Sequence, residues 1–306
     1  MSSLDFLVWL QSLRVPFLDN LFIGLSALGS EEAYMALLAF AYLCVGHRIG
    51  FHLVVLFLAT SFSNGLIKQA IGTVRPFEQY PEQITPLYPE SGGGPSFPSG
   101  HAQNAAVVWG FVALRIGSSA GRIAALLLIA GIAFSRLWLG VHWPIDVLGG
   151  LIIGGLILLA YLFVLGAWKA SGRKLEFANS VVLVIAASGL MYIAGQGIEA
   201  CVRSAGVLLG AGVGFILLER RGYSAHAPRL TQAFKLLVAV VVLLGLRIGL
   251  KAVLGDSGPA DYVRYAALGF ALTYLLPTFF TGYYKWRMRL RRALELIDDD
   301  TPEPMA

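Results

Sequence analysis

The stretch PIDVLGGLIIGGLILLAYLFVLGAW, residues 144–168, carries a single charged side chain, Asp146, near its start. At 1.5 Å per residue, a helix this long exceeds the ~30 Å hydrocarbon core of a bilayer. Pro144 suits the first turn of such a helix, where a backbone N–H is not needed. Runs of the same character recur at about 32–47, 51–72, 101–117, 122–140, 177–196, 202–218, 232–254 and 262–284. They bring the expected spans to nine, or ten if the N-terminal segment adds one. Composition agrees: 57% of the 306 residues are hydrophobic, 13% are charged, and the mean hydropathy is +0.71. That leaves too few polar residues to cover a water-soluble surface. The expected fold class is all-α, a polytopic transmembrane helical bundle whose short connections make sequential helices antiparallel neighbours.

The net charge of +5 is distributed in a way that excludes a nucleic-acid partner. The basic residues do not spread along a polar surface. They cluster at His47-Arg48, at Arg115 with Arg122, at Lys169, Arg173 and Lys174, at Arg220, Arg221 and Arg229, and in the tail from Lys285 to Arg292. Counting spans alternately puts all five clusters on one side, which the positive-inside rule assigns to the cytoplasm. The loops near 73–100, 136–143, 197–201 and 255–261 then face the opposite side of a cell membrane crossed many times. The segment from Leu4 to Gly29, broken by Arg14, Pro16, Asp19 and Asn20, reads as an amphipathic helix at the interface, with a short span from Phe17 as the alternative. It lacks a basic start, a continuous apolar core and a small-residue cleavage site, so no cleavable signal peptide is expected. Cys44 and Cys201 read as small buried hydrophobes, not as a disulfide or metal pair.

Ionisable residues at membrane depth are expensive and call for an explanation. Lys68, Arg75, His101, Arg136, His142 and Asp146 gather on the face away from the cytoplasm. Lys68 or Arg75 alone reads as a snorkelling side chain, but three cations with two histidines and a carboxylate suggest an anion site with acid–base groups. Lys68 and Arg75 are seven residues apart, about two helical turns, so they are expected near one face. Pro76 disfavours helical geometry at Arg75 and is expected to end the helix there. The loop from Ser91 to His101, rich in glycine, runs into a helix whose N-terminus offers unpaired N–H groups to an anion. Asp146 follows His142 by four residues, which lets a carboxylate reach one ring nitrogen and leave the other as nucleophile or base.

Lys68 followed by Arg75-Pro76, then Pro98-Ser99-Gly100-His101, then Ser135-Arg136 followed by His142 and Asp146, resembles the three-part signature of the type-2 phosphatidic acid phosphatase superfamily. The resemblance covers roughly residues 16–168. It implies that His142 is the nucleophile, oriented by Asp146, and that His101 is the general acid. Lys68, Arg75, Ser99, Gly100 and Arg136 would hold the phosphoryl oxygens. The chemistry is coherent: charge spreads over three equatorial oxygens in phosphoryl transfer, and three fixed cations supply what a metal does elsewhere. No metal or other cofactor is therefore expected. The implied partner is a phosphorylated membrane lipid, for example undecaprenyl pyrophosphate, phosphatidylglycerol phosphate or phosphatidic acid.

The chain divides accordingly. Residues 1–30 form the N-terminal segment, 31–168 the catalytic membrane core, 169–176 a cytoplasmic linker, 177–284 a four-helix membrane extension, and 285–306 a basic then acidic cytoplasmic tail. Gly206, Gly210, Gly212 and Gly214 point to close helix packing in the extension, either as internal support or as a homodimer contact. A lipid-binding or regulatory surface is the alternative there, and Arg247 and Lys251 need partners or the interface. Glu78, Glu82 and Glu90 read as solvated loop residues, and Glu31 and Glu32 as first-turn acids of a span. Trp138, Trp143, Tyr80 and Tyr88 read as an interfacial belt, with the two tryptophans as alternative site-lining residues. The rival functions are a lipid-phosphate phosphotransferase and a transporter or flippase using the site for recognition. Paired histidines with an orienting carboxylate favour bond cleavage over mere recognition.

Overall fold

The computed structural model describes residues 2–88, 94–173 and 175–299. Glu90, Ser91, Gly92 and Gly93 of the glycine-rich loop, Lys174, and the tail from Asp300 lie outside the described residues. All regular structure among those described is helical. The order is α1 (Ser3–Ser12), α2 (Pro16–Leu28), α3 (Glu31–Phe40), α4 (His47–Ile71), α5 (Pro76–Gln79), α6 (Gly100–Arg115) and α7 (Ser119–Trp138). There follow α8 (Pro144–Ala170), α9 (Phe177–Ala194), α10 (Glu199–Arg221), α11 (Arg229–Leu254), α12 (Gly258–Phe270) and α13 (Leu276–Asp299). Wider π-helical turns at Ala41–Val45 and Ala271–Leu275 extend α3 and join α12 to α13.

Local chemistry sets the helix starts. Ser2 and Asp5 cap α1 reciprocally, and Ser30, Ser118 and Ser257 accept the N–H three residues on at α3, α7 and α12. Proline opens α2, α5 and α8. The N-terminal segment is therefore two helices, broken at residues 13–15, and not one amphipathic helix.

Among the described residues, seven helical stretches are long and apolar enough to cross a membrane: His47–Gln79, Ser119–Trp138, Pro144–Ala170, Phe177–Ala194, Glu199–Arg221, Arg229–Leu254 and Gly258–Leu290. An eighth appears if Pro16–Leu28 and Glu31–Val45, bent by 54°, count as one broken span. The expected count of nine to ten is not confirmed, because two of the expected runs fall short of that length. Helix α6 has 16 residues, about 24 Å at 1.5 Å each, short of a hydrocarbon core. Helix α3 is the second arm of a corner that turns at Gly29.

Two shared cores tie the chain together. Tyr34, Leu53, Phe57, Val107, Phe111 and Leu158 pack with Ala211 of α10. Tyr42, Leu43 and Cys44 pack with Leu218, Ala239, Leu276 and Phe280. Both cysteines are free and buried. Three of the expected glycines let α10 meet its neighbours in the same chain. A Cβ on Gly206 or Gly210 would fall 2.4 or 1.8 Å from the Tyr262 or Ala266 carbonyl oxygen, and one on Gly214 would strike Thr273. Gly212 faces Val184 of α9.

Candidate active site

The site forms where α4 ends and α6 and α8 begin. Helix α4 stops on Gly72, whose φ of +65° is a conformation that a side chain resists. This stop precedes Arg75, which corrects two expectations: Pro76 does not end the helix, and Lys68 and Arg75 do not share a helical face. Lys68 sits in the last turn, while Arg75 lies beyond it, extended, as the cap of the short α5. Pro76 still matters, because it keeps Arg75 out of the helical region. Helix α4 stops at Gly72, and the Arg75 side chain beyond it is buried to 2% exposure.

Arg75 is held by carbonyl groups. Its Nε donates to Gly94 O at 2.8 Å, and its Nη1 donates to Val141 O at 2.8 Å and lies 3.3 Å from His142 Nε2. Lys68 Nζ donates to Pro95 O. Arg136, in the last turn of α7, is fully buried and donates through Nη1 to Ser26 Oγ. Lys68 lies within electrostatic range of Arg75, Arg136 and Asp146.

His142 precedes α8, and Asp146 occupies the first turn of that helix. The Oδ2 of Asp146 accepts from Ser96 Oγ at 2.5 Å and from the Trp143 N–H at 2.7 Å, and lies 3.3 Å from His142 Nδ1. Ser96 Oγ is itself 3.4 Å from His142 Nδ1. An ionised carboxylate only accepts, so this arrangement puts the imidazole proton on Nδ1 and leaves Nε2 its lone pair, turned toward Arg75. Complete burial and the nearby Arg136, Arg75 and Lys68 charges hold His142 well below the ordinary histidine range. Both effects favour the neutral ring.

The N-terminus of α6 supplies the third part. Ser99 caps it, and its Oγ is buried with no hydrogen-bond partner, a group that needs a ligand or a water. The Ser99 N–H donates to Asp146 O at 3.0 Å, stitching α6 to α8. Gly150 permits this closeness, since a Cβ there would sit 2.5 Å from Ser99 O. His101 lies within electrostatic range of Arg136, His142, Arg75 and Lys68. Beneath the site, Asn64 Nδ2 donates to Pro98 O at 3.2 Å and to Gln103 Oε1 at 2.8 Å, while Gln103 Nε2 reaches Thr60 O at 3.1 Å. An open cavity of about 560 Å³ adjoins Asp146, walled by Ile71, Val74, Phe97, Trp143 and Ile145.

Lys68, Arg75, Ser99, His101, Arg136, His142 and Asp146 thus lie together, with Gly100 as the first residue of α6 beside Asn64. Ser96, Asn64, Gln103 and Ser26 were not identified from the sequence. A serine in a glycine-rich loop and polar residues inside apolar helices carry no spacing pattern, and only the fold shows what they touch. Trp143 lines the cavity and donates to Val74 O at 3.0 Å. Trp138, expected in an interfacial belt, is instead buried and donates to Asp19 Oδ1 at 2.8 Å.

Comparison with known proteins agrees with this geometry. The family model described as PAP2 superfamily matches residues 49–170, and one described as PAP2 superfamily phosphatase, transmembrane extension, matches residues 202–285. The lipid phosphate phosphatase delta of Arabidopsis thaliana is 28% identical over 55% of this chain and 41% of its own length. The chain therefore spans under half of that relative. A phosphatidylglycerophosphatase B of Bacillus subtilis is 29% identical over 47% of this chain and 74% of its own. An undecaprenyl-diphosphatase of Sulfolobus acidocaldarius is 30% identical over 47% of this chain and 69% of its own.

Proposed function

Since the chain belongs to the PAP2 superfamily, we propose that it removes phosphate from a lipid phosphate or pyrophosphate through a phosphohistidine at His142. The observation that carries this reading is the His142 imidazole, held at Nδ1 by Asp146 and Ser96 with Nε2 turned to the Arg75 guanidinium. Nε2 attacks phosphorus and the bond to the leaving oxygen breaks. His101 protonates that oxygen, so the lipid leaves as an alcohol or a monophosphate. Water then attacks the phosphohistidine, gives a proton to His101 and releases inorganic phosphate. Lys68, Arg75, Arg136, Ser99 and the N-terminus of α6 stabilise the charge on the equatorial oxygens.

The substrate class follows from the setting. The site lies at the ends of membrane-crossing helices beside an apolar cavity, which suits a phosphate carried on a hydrocarbon chain. The names of the three relatives agree with that class. The basic clusters assign the opposite helix ends to the cytoplasm, so the site faces outward.

Phosphate release from a panel of lipid phosphates and pyrophosphates, by detergent-purified protein with a chelator present, tests the proposal. Turnover that persists with chelator and vanishes in His142→Ala supports it, and an alkaline quench should retain phosphate on the wild-type protein. No release from any lipid by folded protein would sink it.

A further inference from the structure

We infer that Ser26 is a positioning residue for Arg136, so that α2, outside the residues matched by the family model, is a working wall of the phosphate site. The inference rests on the reading of Arg136 as a phosphate ligand. It begins with a serine 1% exposed in an otherwise apolar stretch of helix. A hydroxyl in such a place is unfavourable unless it is hydrogen-bonded. Its partner is the Nη1 of Arg136.

Ser26 belongs to a stripe. Asp19, Phe22, Ser26 and Gly29 recur at helical spacing and face one way. Asp19 Oδ1 accepts from Trp138 Nε1 at 2.8 Å. The Phe22 ring packs 5.3 Å from Phe134 and 4.8 Å from Trp138, centre to centre. Gly29 ends the stripe, where a Cβ would fall 2.6 Å from Ile132 and 3.0 Å from the His101 ring. Just before α2, Arg14 donates to Trp138 O and to Thr85 O, each at 2.7 Å. The stripe therefore grips the end of α7 on both sides of Arg136 and reaches His101.

The consequence is geometric. A guanidinium presents its donors in one fixed plane, so fixing Nη1 fixes where the other N–H groups aim. Ser26 sets that plane from outside the three-part signature. Without the hydroxyl, Arg136 keeps its charge but loses its orientation, and phosphate loses a directed donor.

The test is a double-mutant cycle on the purified full-length protein, read by calorimetric binding of inorganic phosphate. Ser26→Ala and the near-isosteric Ser26→Cys, which lacks a strong acceptor, should each weaken phosphate binding about 3–10-fold, less than the loss of a whole charged hydrogen bond because the Arg136 donor is misdirected and not removed. Ser26→Thr, which restores a hydroxyl, should bind within about twofold of wild type. In an Arg136→Ala background, Ser26→Ala should have no further effect, because the two act through one interaction. Thermal melting of each variant reports on folding, and two acceptor-deleting variants guard against one that fails to fold. Phosphate binding that is unchanged in both Ser26→Ala and Ser26→Cys overturns the inference. So does an equal loss with and without Arg136, or wild-type protein that binds no phosphate. Lipid hydrolysis is measured in parallel. If wild type binds phosphate with this pattern yet turns over no lipid, the catalytic reading fails while the role of Ser26 stands.

Discussion

His142 and Asp146 depend on each other in a way that substitutions can separate. Under the proposed mechanism, removing the imidazole removes the nucleophile, so His142→Ala should leave no measurable phosphate release. Asp146→Asn keeps the shape but can offer an amide N–H to Nδ1, which selects the wrong tautomer. A loss of about 10²–10⁴-fold in kcat is expected, by analogy with the effect of that change in a serine-protease triad. Ser96→Ala removes one of the donors to Asp146 Oδ2 and should lower kcat about 3–10-fold, less than a whole charge-assisted hydrogen bond because the Trp143 N–H still holds the carboxylate. Steady-state phosphate release ranks all three. The neutral state of His142 also has a consequence for stability. Its folded pKa lies below the unfolded value of about 6.5, so the unfolded chain binds the extra proton first. The contribution is complete above pH ~6.5 and is lost as pH falls from there toward the folded pKa. Melting temperature in detergent should drop as the solution is acidified through that window, and His142→Asn should flatten the drop.

At the level of helices, the site is assembled by close approach. Helix α8 comes near enough to α6 for the Ser99 N–H to reach Asp146 O only because Gly150 lacks a side chain. Gly150→Ala would place a methyl 2.5 Å from Ser99 O, forcing the N-terminus of α6 away from α8. Both kcat and melting temperature should fall, whereas Gly155→Ala on the same helix, with open space around it, should alter neither. Gly72 has a different role. Its left-handed backbone ends α4 ahead of Arg75, whose side chain shares the Pro95 carbonyl with Lys68, and a side chain at Gly72 costs about 1–2 kcal/mol. Gly72→Val should lower the melting temperature and, under the proposed role of Arg75 in holding phosphate, raise KM.

Across the whole molecule, the C-terminal extension is fastened to the catalytic half by polar contacts at the end opposite the site. The π-helical turn at Ala41–Val45 frees carbonyl groups from the usual ladder. Leu43 O accepts from Tyr223 Oη at 2.7 Å and from Lys235 Nζ at 3.2 Å, and Lys235 also reaches Ala225 O at 2.9 Å. Tyr42 Oη donates to Thr273 O at 2.9 Å. Lys235 is fully buried, and its loss removes one of two donors from each of Leu43 O and Ala225 O, at about 1–3 kcal/mol. Lys235→Ala should lower the melting temperature in detergent while leaving KM near wild type. An equal change in KM would mean that the extension shapes the site directly.

The sequence alone determined what is local or periodic. Apolar runs longer than a bilayer core dictated a helical membrane protein, and the positions of Pro144 and of Glu31 and Glu32 marked helix starts correctly. The spacing of His142 and Asp146, one helical turn apart, already fixed their encounter. Lys68, Arg75, Ser99, Gly100, His101 and Arg136 were legible because their order and spacing match a known signature. Tertiary structure decided the rest, because those contacts join residues distant in sequence. Only the fold brings Ser96 to Asp146, Ser26 to Arg136, and the carbonyls of Gly94 and Pro95 to the cations. Hydropathy could not count the spans, since a broken pair at Gly29 and a 16-residue helix look apolar enough in a window. Nor could it show that Gly72, not Pro76, ends α4. That is a matter of backbone geometry, which apolar patterning does not encode.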